Sequence, residues 1–513
     1  MNGHDLQKEF GDYQTPDRFA DIVCKYLYTG LKIHPKFIIE PTAGVGSFIK
    51  SSLRHFNECI SIVGIEINQE YCNICRSDIN DERVRIECRN FFEYDLSDYV
   101  ENGDDTLIIG NPPWATNSDL NYNLPRKVNF KRLSGTDAIT GSSNFDICEY
   151  IILKLVSAFK KTGAIIAMLC KTSVARNVLQ ELNRTSTKAE YVKILLFDSA
   201  KVFGISASAC LLVIKLSDAF DNANVCEVAK LDDPQTVISK IKYENGILST
   251  ETGGVENLEG TCQIEWRQGV KHDCSSVMEL EILENGNYRN KKKEEVELEE
   301  TLVFPFVKSS GFKKPIICDC FKKYVIITQK KSREDTSYIR ELAPLTWHYL
   351  ISNKELFAER KSSIYNGAPA FSMFGVGGYS YAKYKVGVSG FYKKPLFSLL
   401  YNSKDVDHPV MLDDTTYFLS FDTYNNAYVC MVLLNSESVQ NFLYSISFRD
   451  SKRPYTKRVL QRVDLERCFE VVTINEMMLT ERNLKLEPYL TEDLYLEFKE
   501  FVCQKNGYSQ LLC

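Results

Sequence analysis

Short apolar runs recur along the first 215 residues, and helix-length segments separate them. Phe37-Ile38-Ile39, Ile60–Ile65, Val84–Glu87, Thr106–Ile109, Ala164–Met168, Ile194–Phe197 and Ala209–Ile214 read as strands. Ser47–Leu53, Gln69–Ser77 and Phe145–Phe159 have helical spacing or helix-forming composition. Runs that are apolar throughout, rather than alternating, belong to strands covered on both faces. Strand and helix in alternation place such strands side by side in a mostly parallel sheet. The pattern predicts a doubly wound α/β domain over residues 1–217.

Past this domain the composition changes. Residues 218–300 are polar and acidic, and 216–300 hold 9 basic against 19 acidic side chains. That stretch reads as a connection. Residues 301–513 read as a second domain of mixed α and β, with strands expected at Tyr324–Thr328, Tyr379–Val388 and Tyr417–Phe421. Its 301–460 portion is basic, with 22 cations against 13 anions, although the whole chain carries −6. A local basic surface decides whether a polyanion docks, more than the total does.

An apolar share of 44% with 25% charged residues excludes a wholly disordered or fibrous chain. The 17 cysteines are odd in number and scattered, which fits free thiols in a reducing compartment. No apolar run approaches the roughly 20 residues of a membrane span. The start MNGHDLQKEF lacks a signal-peptide core. A soluble cytoplasmic protein is expected.

Two turns carry the chemistry. The first strand ends in Glu40-Pro41-Thr42-Ala43-Gly44-Val45-Gly46-Ser47. Its Gly-x-Gly lets backbone approach a ligand and aims a helix N-terminus at it. Glu66 closes the second strand, where doubly wound folds place an acid against two ribose hydroxyls. No third glycine follows, and Glu40 would repel a pyrophosphate, so a cationic nucleoside fits better than a dinucleotide. Two plain structural turns satisfy the same residues, and both readings stand. After the fourth strand comes Gly110-Asn111-Pro112-Pro113-Trp114. Adjacent prolines fix φ and donate nothing, so the turn is a rigid array of acceptors. The Asn111 amide oxygen and the Pro112 carbonyl suit one –NH2 group, and Trp114 offers a face for a planar base.

EPTAGVGSF followed by GNPPW resembles the S-adenosylmethionine-dependent DNA adenine-N6 methyltransferases, whose signature is Asp/Asn-Pro-Pro followed by an aromatic residue. The order of Tyr13–Pro16, the Gly-x-Gly turn, Asn111–Trp114 and a large C-terminal region is similar to their γ class, typical of type II restriction–modification systems. The likeness covers residues 10–215 and, beyond 300, the position and size of a target-recognition domain. It implies a class I (Rossmann-like) methyltransferase domain with a mostly parallel twisted sheet, a C-terminal mixed α/β recognition domain, and S-adenosylmethionine without a metal. The implied partner is double-stranded DNA, with a separate cognate endonuclease acting on the same site. No membrane is implied, and the location is the prokaryotic nucleoid.

Residue by residue, the resemblance places Tyr13, Gln14, Thr15 and Pro16 at the methionine end of the cofactor, and Glu40, Thr42, Gly44 and Gly46 along it. Glu66 would hold the ribose and Ile67 pack on the adenine. Asn90 stands where the family has Asp and can still accept through its amide oxygen; Phe91 would stack on the same ring. Asn111, Pro112, Pro113 and Trp114 form the catalytic set, with Asn111 also meeting the cofactor. Trp114 and Phe203 would stack on a target base extruded from the duplex.

Adenine N6 is a poor nucleophile because its lone pair is delocalised. Acceptors on both N6 protons favour a pyramidal nitrogen and localise the pair. A protein glutamine methyltransferase needs a similar –NH2 pocket but carries its extra domain before the Gly-x-Gly turn. An RNA adenine methyltransferase would need the same pocket, and the intact motif argues against an inactive DNA-binding relative.

In the second domain, Tyr379, Tyr381, Lys383 and Lys385 alternate and would share one strand face. Lys452, Arg453, Lys457 and Arg458 form the densest basic cluster. Both are candidates for DNA contact, against ordinary surface roles. Cys72-x-x-Cys75 and Cys318-x-Cys320 are isolated pairs without the second half of a zinc site. Asp493, Glu497 and Lys499 imitate a nuclease motif loosely and read better as a solvated helix face. No nuclease domain is expected ahead of the first motif.

Overall fold

Ten strands build the sheet that positions the candidate site. They are β1 (Phe37–Glu40), β2 (Ser61–Glu66), β3 (Val84–Cys88), β4 (Thr106–Gly110), β5 (Ile165–Lys171), β6 (Ala189–Phe197), β7 (Ala209–Leu216), β8 (Val225–Lys230), β9 (Val237–Glu244) and β10 (Ile247–Thr250). The computed structural model describes residues 13–114, 146–205, 207–244, 247–250, 258–319, 321–448 and 451–509. The chain divides into two units, Met1–Glu251 and Thr252–Cys513.

The sheet order is β10-β9-β8-β6-β7-β5-β4-β1-β2-β3. β3, β2, β1, β4 and β5 run parallel, and β7 inserts antiparallel between β5 and β6. Every residue of β4 is buried, and β1 and β2 are buried beyond their first residue, as central parallel strands require. Five helices pack around the sheet: α1 (Asp17–Lys25), α2 (Ser47–His55), α3 (Gln69–Asp78), α4 (Ile147–Phe159) and α5 (Thr172–Arg184). Gly46 caps α2 at φ 82°, a left-handed conformation that favours glycine. Asn68 caps α3 and Asp146 caps α4 through their side chains. Chain order reverses between β1 and β4, and in open α/β sheets ligands bind off the carboxyl ends of the strands at such a point.

Residues 218–300 are not a connection. Val225–Thr250 extends the first sheet by three strands, two of them antiparallel additions at its edge. Residues 258–300 belong to the second unit, where β12 (Glu279–Ile282), β13 (Tyr288–Asn290) and β14 (Glu295–Val296) join a six-stranded sheet. The edge strands escaped the sequence reading because β9 buries a single residue and lacks a continuous apolar run.

The second unit also holds a five-stranded sheet built on β18 (Tyr384–Ser389), which lies between β19 (Ser398–Tyr401) and β21 (Thr416–Phe421). Helices Tyr424–Leu434 and Glu437–Ile446 contribute to its core. The expected strand Tyr379–Val388 starts five residues late. Gly378–Tyr381 is a single 3-10 turn, closed by Ser380 N–H donating to Gly377 O at 2.8 Å. Among the described residues no helix is long and apolar enough to cross a membrane.

Candidate functional site

The Glu40–Gly46 turn leaves β1 and the Asn111–Trp114 turn leaves β4, so parallel pairing of these strands sets the two side by side. Gly44 sits at φ 53°. A Cβ there would meet Gln14 Oε1 at 2.4 Å, the oxygen that accepts from Val45 N–H at 3.1 Å. Gln14 and the glycine turn are therefore one packed unit. Glu66 accepts from Gly44 N–H through Oε2 and from Asn68 N–H through Oε1, both at 2.8 Å. Thr15 is buried, and Pro16 opens α1.

Four buried side-chain atoms of these turns have no hydrogen-bond partner among the described residues: Glu40 Oε2, Thr42 Oγ1, Asn111 Oδ1 and Trp114 Nε1. An unsatisfied buried polar atom costs about 1–3 kcal/mol, so a cluster of them marks a place where a ligand completes the bonding. Asn111 is oriented: its Nδ2 donates to Tyr13 O at 2.8 Å, which leaves Oδ1 as the open acceptor. Burial, and secondarily the Glu66 carboxylate, raises the Glu40 pKa well above the usual carboxylate value. A bound cation would reverse that.

Trp114 is 6% exposed, and its ring centroid lies 5.5 Å from Phe203 and 6.2 Å from Tyr13. Tyr13 and Phe203 are 6.3 Å apart, so three residues from distant parts of the sequence meet in one aromatic cluster. Phe19 and Phe197 extend it behind Phe203. Pro112 is buried and Pro113 half-buried in the turn.

Asn90 and Phe91 follow β3. Asn90 Oδ1 accepts from Phe92 N–H at 3.0 Å and caps the short turn Phe91–Glu93, so one of its lone pairs is committed. Phe91 is 4% exposed, and the Lys154 ammonium lies 4.8 Å from its centroid. Ile67 is 53% exposed on the neighbouring strand end, open to a planar partner.

Two lysines of this region were missed from the sequence. Lys154 lies on α4 within a stretch of apolar residues, which is the one local hint of its role. Lys171 ends β5 and donates to Trp114 O at 3.0 Å and to Asp146 at 3.1 Å, contacts that no spacing reveals.

The tyrosine–lysine strand face does not exist. Tyr379 lies beneath Arg267, whose guanidinium carbon is 4.5 Å from the ring centroid, and Tyr381 donates to Gln329 O at 3.3 Å. Lys383 is exposed. Lys385 is 1% exposed and donates to Ala382 O at 2.7 Å. β18 is a central strand covered on both faces, so alternation there produces no solvent face. In the basic cluster, Lys452, Lys457 and Arg458 are exposed, with Lys457 paired to Glu265 at 2.7 Å. Arg453 stacks 5.0 Å over Phe391 and donates to Asp414 O at 3.3 Å.

Cys72 and Cys75 lie buried on α3, Cys75 donating to Gly44 O at 3.2 Å. No group of three metal-ligating side chains occurs among the described residues. Cys320 lies outside the described residues, so the Cys318–Cys320 pair is not described. Asp493, Glu497 and Lys499 are exposed on the helix Glu492–Ser509.

No family model matches the chain. The type II methyltransferase M.NspV of Nostoc sp. is 38% identical over 485 residues, which cover 91% of this chain and 99% of that protein. Among solved structures, a putative class I S-adenosylmethionine-dependent methyltransferase of Listeria monocytogenes is 13% identical, with a TM-score of 0.33, over 43% of this chain and 68% of its own. A type I restriction–modification methyltransferase subunit of Streptococcus thermophilus is 13% identical, with a TM-score of 0.31, over 44% and 49%. Those structural likenesses are too slight to carry an argument. The near full-length identity to M.NspV does carry one. The chain belongs to the type II methyltransferases of restriction–modification systems.

Proposed function

We propose that the chain is a site-specific DNA adenine-N6 methyltransferase using S-adenosylmethionine, the modification enzyme of a restriction–modification pair. The observation that carries the reading is Asn111 Oδ1, buried after β4 with no partner among the described residues while its Nδ2 is tied to Tyr13 O. A buried open acceptor beside a proline carbonyl calls for an amino group with two protons to give.

The residues off β1 and β2 fit the cofactor. Glu66, at the end of β2, would meet the ribose hydroxyls while it holds Gly44 N–H and Asn68 N–H, and Glu40 Oε2 and Thr42 Oγ1 have no hydrogen-bond partner among the described residues. Tyr13–Pro16 close over the same turn through Gln14. When bound, S-adenosylmethionine supplies an electrophilic methyl group. The chain's part is positional and electrostatic. Asn111 Oδ1 and Pro112 O accept from the two N6 protons and direct the nitrogen lone pair away from the ring. Trp114 and Phe203 provide stacking surface for a base out of the duplex, which offsets part of the few kcal/mol of unstacking. No strong base is required, because the N6 proton becomes acidic as the methyl arrives. The second unit, Thr252–Cys513, would recognise the DNA, with exposed Lys452, Lys457 and Arg458 contacting phosphates. A separate endonuclease would cut the same site when it is unmodified.

The test is product analysis. Duplex DNA incubated with the chain and isotopically labelled S-adenosylmethionine is digested to nucleosides and resolved by mass. Label in N6-methyladenine supports the reading. Label in a cytosine derivative, in RNA alone or in protein glutamine overturns it.

A further inference from the structure

One helix reaches the loop after β3 directly and the Asn111–Trp114 turn through Lys171. Lys154 lies within α4, and its ammonium donates to three backbone carbonyls: Phe91 at 2.7 Å, Phe92 at 2.9 Å and Tyr94 at 2.9 Å. An ammonium has three protons, and all three are spent on one loop. Among the described residues no carboxylate pairs with it, and burial lowers its pKa, so the charge has been desolvated in favour of those carbonyls. The same ammonium lies over the Phe91 ring. At the start of α4, Asp146 accepts from Cys148 N–H at 3.0 Å as the helix cap and from Lys171 at 3.1 Å. Lys171 passes the hold on to Trp114 O at 3.0 Å.

We infer that α4 is a brace for both substrates, with Lys154 positioning the Asn90–Tyr94 loop for the cofactor and Lys171 positioning the Asn111–Trp114 turn for the target base. The inference rests on the proposed function, because it assigns those two loops to two different ligands. The short turn Phe91–Glu93 bonds its Phe91 carbonyl internally, from Tyr94 N–H at 3.2 Å, but leaves the Phe92 and Tyr94 carbonyls to Lys154. Without Lys154 they would seek water, and Asn90 and Phe91 would lose their fixed places. The Asn-Pro-Pro turn cannot bond internally either, since its prolines donate nothing. Lys171 anchors its far end through a carbonyl, as Tyr13 O anchors its near end through Asn111.

Lys154→Met and Lys171→Met keep the aliphatic stem and remove the ammonium; Lys154→Arg and Lys171→Arg restore a cation. S-adenosylmethionine affinity is read by calorimetry, and the single-turnover rate at saturating cofactor and DNA by label transfer. A lost charged hydrogen bond is worth about tenfold or more in affinity or rate. Lys154→Met should weaken cofactor binding by about that factor and leave the saturated rate within about threefold. Lys171→Met should do the reverse. Each Arg variant should recover part of its own loss. A merely structural role would move both readouts together in both variants, and that result overturns the inference, as does parental behaviour of either Met variant. If the parent chain itself binds no S-adenosylmethionine, the proposed function falls, and this inference with it.

Discussion

At Glu40 the sequence placed a carboxylate where a phosphate would be repelled, and the fold buries it to 3% exposure beside Glu66. Desolvation comes first and the second carboxylate next, and both favour the protonated form. A cationic cofactor would favour the anion instead, so binding should release a proton from Glu40. By linkage, affinity then rises with pH between the Glu40 pKa of the complex and the higher value of the free protein. Calorimetry in two buffers of different ionisation enthalpy measures the proton directly. Proton release in some part of a pH series that disappears in Glu40→Gln is the expected outcome; no release at any pH in the parent would mean that Glu40 does not face the cation. Glu66 differs in that backbone N–H groups of Gly44 and Asn68 already support its charge.

Among the elements, the aromatic cluster of Tyr13, Trp114 and Phe203 joins the segment ahead of α1 to the turn after β4 and the end of the short helix Ser199–Phe203. If Trp114 serves by stacking, Trp114→Ala should weaken capture of an extruded base by about 1–3 kcal/mol, while Trp114→Phe keeps most of the activity. Fluorescence of 2-aminopurine at the target position reports capture. A Phe variant as inactive as Ala would assign the work to the indole Nε1, which is buried without a partner. The parallel strands and both turns were legible in the sequence because their signals are local: apolar runs, glycines and paired prolines. What escaped depends on tertiary contact. Lys154 and Lys171 look like ordinary lysines until α4 brings carbonyls to them. β9 has no apolar run longer than two residues, and β18 shows an alternation that a covered central strand does not use.

For the whole molecule, the buried lysine of β18 links charge to stability. Burial pulls the Lys385 pKa from 10.5 to about 7. Between those values the unfolded chain holds a proton that the folded chain has shed, so unfolding free energy rises with pH through that window and the penalty is full below it. The cost at pH 6 is on the order of a few kcal/mol. Lys385→Met should therefore raise the denaturation midpoint of the second unit at pH 6 and flatten its rise between pH 7 and 9. Denaturant titrations across that range check both, and a variant with the parent's pH dependence would show that Lys385 is not the titrating group. His272 adds a change of the same sign lower down: burial drops its pKa from 6.5 to about 4, so stability is lost as pH falls through that interval. In the proposed function the two units, Met1–Glu251 and Thr252–Cys513, divide the remaining work between chemistry and DNA recognition. All of it depends on one oriented amide. The single-turnover rate of Asn111→Ala tests that most directly, measured beside its cofactor affinity. Loss of an oriented polar contact to a reacting group predicts a fall of at least about 10²-fold in rate, with S-adenosylmethionine binding within about tenfold of the parent. A variant that transfers methyl groups at a near-parental rate would contradict the account.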